Sequence, residues 1–137
     1  MDVRPAQPDD REAVVALWEH TGLTRPWNDP HEDFHRAREC EQSELLVGVQ
    51  DGRVCGSAVL GDDGHRGWIY LVAIDPSLQG SGAGRELVRA SEDWFRQRGQ
   101  LTLRLMVRNE NSAVVGFYEA LGYVDQDLFV LGRTLEQ

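Results

Sequence analysis

Glycines at alternate positions, Gly80, Gly82 and Gly84, join an apolar run to a helical pattern, an arrangement able to cradle a phosphate. Residues Trp68 to Ile74 are apolar strand formers without a break, which predicts a strand buried on both faces and ended by Pro76. From Gly84 onward Leu87, Val88, Ser91, Trp94 and Phe95 recur at helical spacing, and Gly99 supplies the stop. The first N–H groups of such a helix lack intrahelical partners, and with the helix dipole they favour a di-anion. Glycines there remove the Cβ atoms that would hold phosphate oxygens away. A Walker loop is excluded because Arg85-Glu86 follow Gly84 where Lys and Ser or Thr are needed, and a dinucleotide fold because the spacing is Gly-x-Gly-x-Gly, late in the chain.

The second half of the chain carries another pattern. Leu101, Leu103, Leu105 and Val107 alternate with Thr102 and Arg104, which predicts a strand. Asn109-Glu110-Asn111-Ser112-Ala113 follows, then Ala113, Val114, Phe117, Tyr118 and Leu121 at helical spacing, ended by Gly122. Gln79-x-x-Gly82-x-Gly84, with the strand end and Pro76 ahead of it, resembles the acetyl-CoA signature of the GCN5-related N-acetyltransferase (GNAT) family. Asn111-x-Ala113 through Phe117-Tyr118-x-x-Leu121-Gly122-Tyr123 resembles that family's second signature, in the expected order and at the expected distance. Arg25-Pro26-Trp27-Asn28-Asp29-Pro30, with Asp63-Gly64-His65-Arg66-Gly67, further resembles a YpeA-like bacterial branch of the family.

The resemblance implies one GNAT-type domain over residues 1–137, an α+β fold in α/β/α layers. Its mixed, mainly antiparallel sheet would be splayed between strands 4 and 5. It implies acetyl-CoA as cosubstrate, with the pantetheine arm bonded to backbone of Val72, Ala73 and Ile74. The pyrophosphate would meet the turn that Gln79 opens, at Gly80, Ser81, Gly82, Ala83, Gly84 and Arg85. Asn111 matches the position that contacts the pantetheine arm, and it also suits a helix N-cap. Tyr118 matches the position that protonates the departing sulfur, and it also suits the aromatic core of the last helix.

The activity so implied moves an acetyl group from acetyl-CoA to a primary amine by direct attack in a ternary complex. That chemistry needs a neutral amine, an oxyanion donor, here an amide of Val72 or Ala73, and a proton for the thiolate. Relatives acting on protein N-termini or histone lysines place a base glutamate where Met106 or Trp68 stands, so both of those acceptors are in doubt. His65 is the replacement base, an imidazole being the side chain suited to proton abstraction near neutral pH, although a solvated turn histidine is the plainer account. Trp27, Asn28, Asp29, His65 and Arg66 are expected to shape the acceptor pocket. A second reading keeps the fold as a CoA-binding sensor or interaction module without turnover. A remote third is a zinc peptidase through His31-Glu32-Asp33-Phe34-His35, formally His-Glu-x-x-His. Against it stand Pro30, the charge at Asp33, the lack of apolar flanks and Arg38 where the extended motif has Gly. No metal is therefore expected.

At 137 residues the chain suits one domain able to bury a core without disulfides. The two cysteines, Cys40 and Cys55, suit a reducing compartment. The N-terminus has neither a secretory signal nor a membrane span, so a cytoplasmic protein without membrane contact is expected, as monomer or homodimer. A net charge of -9 argues against nonspecific nucleic-acid binding and mildly favours a cationic acceptor, whether small molecule or peptide. Along the chain the patterns predict a short strand at Val3 to Pro5, a helix from Pro8 with Ala13, Val14, Leu17 and Trp18 inward, and a helix from Pro30 to Glu41. Strands at Glu44 to Gln50 and Arg53 to Gly61 meet at Asp51-Gly52. Strands at Tyr123 to Asp127 and Phe129 to Leu135 are expected to complete the sheet.

Overall fold

The computed structural model describes residues 1–136 and divides into two compact units, Met1–Met106 and Val107–Gln137. The first holds a five-stranded sheet in the order β1 (Asp2–Pro5), β2 (Ser43–Gln50), β3 (Arg53–Asp62), β4 (Gly67–Ile74) and β5 (Leu103–Leu105). Neighbours are antiparallel except β4 and β5, so the sheet is mixed and mainly antiparallel, within an α+β fold. The hairpin between β2 and β3 turns through Asp51 and Gly52, both left-handed at φ 53° and 75°, which is why an Asp-Gly pair sits there.

Helices cover both faces of this sheet. On one face α1 (Arg11–His20) and α2 (Pro30–Glu39) bury Val14, Leu17, Trp18, Phe34 and Ala37 against Leu45, Val47 and Ala73. Ala13, expected among the inward residues, is exposed. On the other, the strongly amphipathic α3 (Ala83–Gln97) packs Leu87 and Phe95 on Leu46, Ala58, Leu60 and Ile69. Gly67 is required by this packing, since a Cβ there would lie 2.5 Å from the Phe95 ring and 2.7 Å from Leu103. Gly99, at φ 78°, closes α3.

The strand expected over Trp68 to Ile74 is present, but it is not buried on both faces along its length: Tyr70 is 40% exposed and Leu71 and Val72 are half-buried. Pairing with β5 explains this. It covers Gly67 with Leu103, Trp68 with Arg104 and Ile69 with Leu105, and there it stops while β4 runs on to Ile74. The fifth strand is correspondingly shorter than the alternation from Leu101 to Val107 predicts.

The second unit, taken alone, contains α4 (Ser112–Ala120), which Gly122 follows at φ 99°. The strands expected at Tyr123 to Asp127 and Phe129 to Leu135 do not form: among the described residues of 123–136 there is no strand, and Phe129 and Leu131 are almost fully exposed. A run of strand-forming residues becomes a strand only where a neighbouring edge takes its N–H and C=O groups. Here Asp127 turns left-handed, its N–H held by the Asp125 carboxylate at 2.8 Å. No helix among the described residues is long and apolar enough to cross a membrane.

Candidate active site

The glycine turn is built from the end of β4. The Asp75 carboxylate accepts from the Ser77 N–H at 2.9 Å and the Ser77 hydroxyl at 2.8 Å, which holds it below the usual carboxylate range and caps a 3₁₀ turn over Pro76–Leu78. Gln79 ends that turn, and the Ser81 hydroxyl donates to the Leu78 carbonyl. Gly80 and Gly82 then take φ 80° and 89°, conformations that side-chain-bearing residues resist, and a Cβ on either would meet nothing within 4 Å. The turn therefore opens to free space without strain.

Gly82 is the N-cap of α3, and the first helical bond runs from the Glu86 N–H to its carbonyl at 3.0 Å. Among the described residues the amides of Gly84 and Arg85 have no intrahelical acceptor, and that of Ala83 has only a 3.4 Å contact with the Ser81 hydroxyl. Gln79, Gly80, Ser81, Gly82 and Arg85 are exposed, while Ala83 packs inward. The residues expected to hold a pyrophosphate thus converge on one helix N-terminus, and they fit a di-anion by geometry and by charge.

Val72, Ala73 and Ile74 lie on the stretch of β4 beyond its β5 partner. A bulge opens just before them: Ser57 stands opposite Ala73 and Val59 opposite Tyr70, so β4 carries one residue more than β3. Leu71 absorbs it in the left-handed region at φ 48°. A buried relay holds it there. The Trp18 indole N–H donates to the Ser57 hydroxyl at 2.9 Å, and Ser57 donates to the Leu71 carbonyl at 3.2 Å. Nothing in the sequence announces this bulge, because leucine is an ordinary strand residue.

A cavity of about 510 Å³ adjoins the bulge. Trp18, Val59, Tyr70 and Leu71 line one side, Leu23, Thr24 and Asn28 the loop above, and Asp33, Arg36, Ala37 and Cys40 the α2 side. Of the residues expected to shape the acceptor pocket, Asn28 lines this cavity. Trp27 is 73% exposed in the loop, and Asp29 caps α2 by accepting from the His31 N–H at 2.9 Å. His65 and Arg66 sit on the turn before β4, where the Asp63 carboxylate takes both of their backbone N–H groups. Neither lines the cavity. His31 and His35 are exposed on the opposite face of α2 from the cavity-lining stripe, and no three metal-ligating side chains converge among the described residues.

Asp33 was legible only as one charge on a polar helix, yet it faces the cavity. Burial, with Asp29 and Glu32 nearby, raises its carboxyl above the ordinary value against the opposing pull of Arg36. In the second unit Asn111 occupies the N-cap position of α4 without a side-chain capping bond. Tyr118 is buried there, edge-on to Phe117 and Tyr123 with ring centroids 5.0 and 5.7 Å away, and burial pushes its hydroxyl up to about 12.

Comparison with known proteins supplies the remaining context. The family model described as "Acetyltransferase (GNAT) family" matches residues 14–123. A Yersinia pestis (strain Pestoides F) protein named acetyltransferase is 42% identical over 98% of this chain and 96% of its own length, and one from Pectobacterium atrosepticum is 40% identical over the same shares. Among solved structures, a putative acetyltransferase from Agrobacterium tumefaciens superposes with a TM-score of 0.83 at 20% identity, covering 98% of this chain and 100% of that one. The structure of AAC(6')-Iy in complex with the bisubstrate analogue CoA-S-monomethyl-acetylneamine gives 0.85 at 17% identity, covering 98% and 97%.

Proposed function

The chain belongs to the GNAT acetyltransferase family and is an acyltransferase; from that premise we propose that it moves the acetyl group of acetyl-CoA onto a primary amine within a ternary complex. One observation carries this reading: an open glycine turn at the N-terminus of α3 continues from a β4 edge that outruns its β5 partner. The amides of Ala83, Gly84 and Arg85 receive the pyrophosphate, and Val72, Ala73 and Ile74 offer backbone groups to the pantetheine arm. We assign the acceptor to the cavity beside the bulge, with Asn28 in its lining.

The neutral amine attacks the thioester carbonyl carbon, and the C–N bond forms as charge collects on the carbonyl oxygen. An N–H of Val72 or Ala73 stabilises that oxyanion. Collapse breaks the C–S bond, the proton released by nitrogen is returned through water to the thiolate, and the products are an N-acetyl amide and the CoA thiol. His65 lies outside the cavity lining, so the amine's proton leaves through water. Tyr118 is assigned to the departing sulfur. Burial keeps the phenol in its neutral O–H form, so it stands as a donor toward the departing thiolate. Its part is to donate a hydrogen bond while the thiolate leaves, and Asn111 supports the pantetheine arm in the same assignment.

The test is thiol release from acetyl-CoA across a panel of amines, polyamines, amino acids and peptide N-termini. Amine-dependent release above the hydrolysis background is expected. Tight acetyl-CoA binding without release under any amine would favour the sensor reading instead.

A further inference from the structure

The cavity beside the β4 bulge has a carboxylate in its lining. Asp33, Arg36, Ala37 and Cys40 face it from α2 at the i, i+3, i+4, i+7 spacing of one helical stripe. Arg36 is paired with Glu32 at 2.9 Å, whereas among the described residues no hydrogen bond or ion pair engages the Asp33 carboxylate. Trp18, Leu23, Val59 and Leu71 form the apolar wall of its lining, and Thr24, Asn28, Ser43 and Tyr70 add polar groups to it.

A carboxylate touching the reacting nitrogen would favour its ammonium form, which has no lone pair for attack. Asp33 is better matched to a second cation on the same acceptor, set back from the reacting amine by a spacer that the apolar wall accepts. Resting on the acetyl-transfer reading above, we propose that the acceptor is an aliphatic diamine. Its distal ammonium sits on Asp33, its methylenes run along Trp18, Leu23, Val59 and Leu71, and its proximal neutral amine reaches the bulge at Leu71.

The test compares 1,5-diaminopentane with n-pentylamine, which share the chain and differ by one ammonium. Wild-type protein is expected to favour the diamine by about ten- to hundredfold in kcat/KM, mostly through KM, the range of a hydrogen bond to a charged group. Asp33→Asn should bring the ratio close to one while leaving acetyl-CoA affinity unchanged. Equal use of the two amines by wild type, or a preference that survives in Asp33→Asn, would overturn the inference. The wild-type comparison stands even if the variant folds poorly. Acetylation of some other amine but of neither probe would remove the diamine assignment alone. Failure of wild type to bind acetyl-CoA would remove the transfer reading together with it.

Discussion

Trp18 and Ser57, thirty-nine residues apart in the chain, meet in the core through an indole N–H to hydroxyl bond of 2.9 Å, and the same hydroxyl reaches the Leu71 carbonyl. Ser57 and Trp18 are both almost completely buried, so removing the hydroxyl strands a donor and an acceptor away from water. Ser57→Ala is expected to cost about 1–3 kcal/mol in urea unfolding. Because the relay pins the left-handed Leu71, turnover should fall more than the stability loss alone explains. Wild-type stability in Ser57→Ala would show that the bulge holds itself.

Asp33 gives a prediction of opposite sign. Its folded pKa is raised, so its protonated form is favoured in the folded state, and the stability so gained is present below the ordinary carboxylate pKa of about 3.9 and lost as pH rises through the raised value. Near neutral pH the ionised carboxylate opposes folding. Asp33→Asn should therefore melt higher than wild type at pH 7, with the gap narrowing toward pH 3, even as the preference for the diamine is lost. A variant less stable than wild type at pH 7 would mean that Asp33 makes a favourable contact in the folded protein.

Tyr118→Phe keeps the ring and its edge-on packing with Phe117 and Tyr123 and deletes the hydroxyl. A hydrogen-bond donor to the departing sulfur predicts a fall of about ten- to hundredfold in kcat, the range of a hydrogen bond to a charged group, with melting temperature and acetyl-CoA affinity close to wild type. Full turnover in the variant would leave Tyr118 as an aromatic core residue of α4.

Local signals were legible where conformation is local. Asp51-Gly52, Gly82 and Gly99 announce left-handed backbone, and Leu87, Val88, Ser91 and Phe95 announce the buried stripe of α3. The paired signatures around Gly82 and Tyr118 identified the family. What escaped is set by distant partners. Leu71 is left-handed because Trp18 and Ser57 hold it, and Asp33 faces a cavity because α2 presents that side to β3 and β4. Residues Tyr123 to Leu135 carry the valine, leucine and aromatic residues of strands, yet the described residues there form none. Likewise the set Trp27, Asn28 and Asp29 is close in sequence but divides in space into an exposed ring, a cavity residue and a helix cap.

The central claim is that the glycine turn at the start of α3 binds acetyl-CoA, and thermal unfolding with and without that ligand measures it most directly. At about 100 times the dissociation constant, wild-type protein should gain about 2.7 kcal/mol, a rise in Tm of roughly ten degrees. Gly82→Val is the control. Its left-handed backbone at φ 89° makes any side chain cost about 1–2 kcal/mol, so the free variant should melt lower, and acetyl-CoA should no longer raise its Tm. A wild-type protein whose melting is unmoved by acetyl-CoA, or a Gly82→Val protein shifted as far as wild type, would contradict the account.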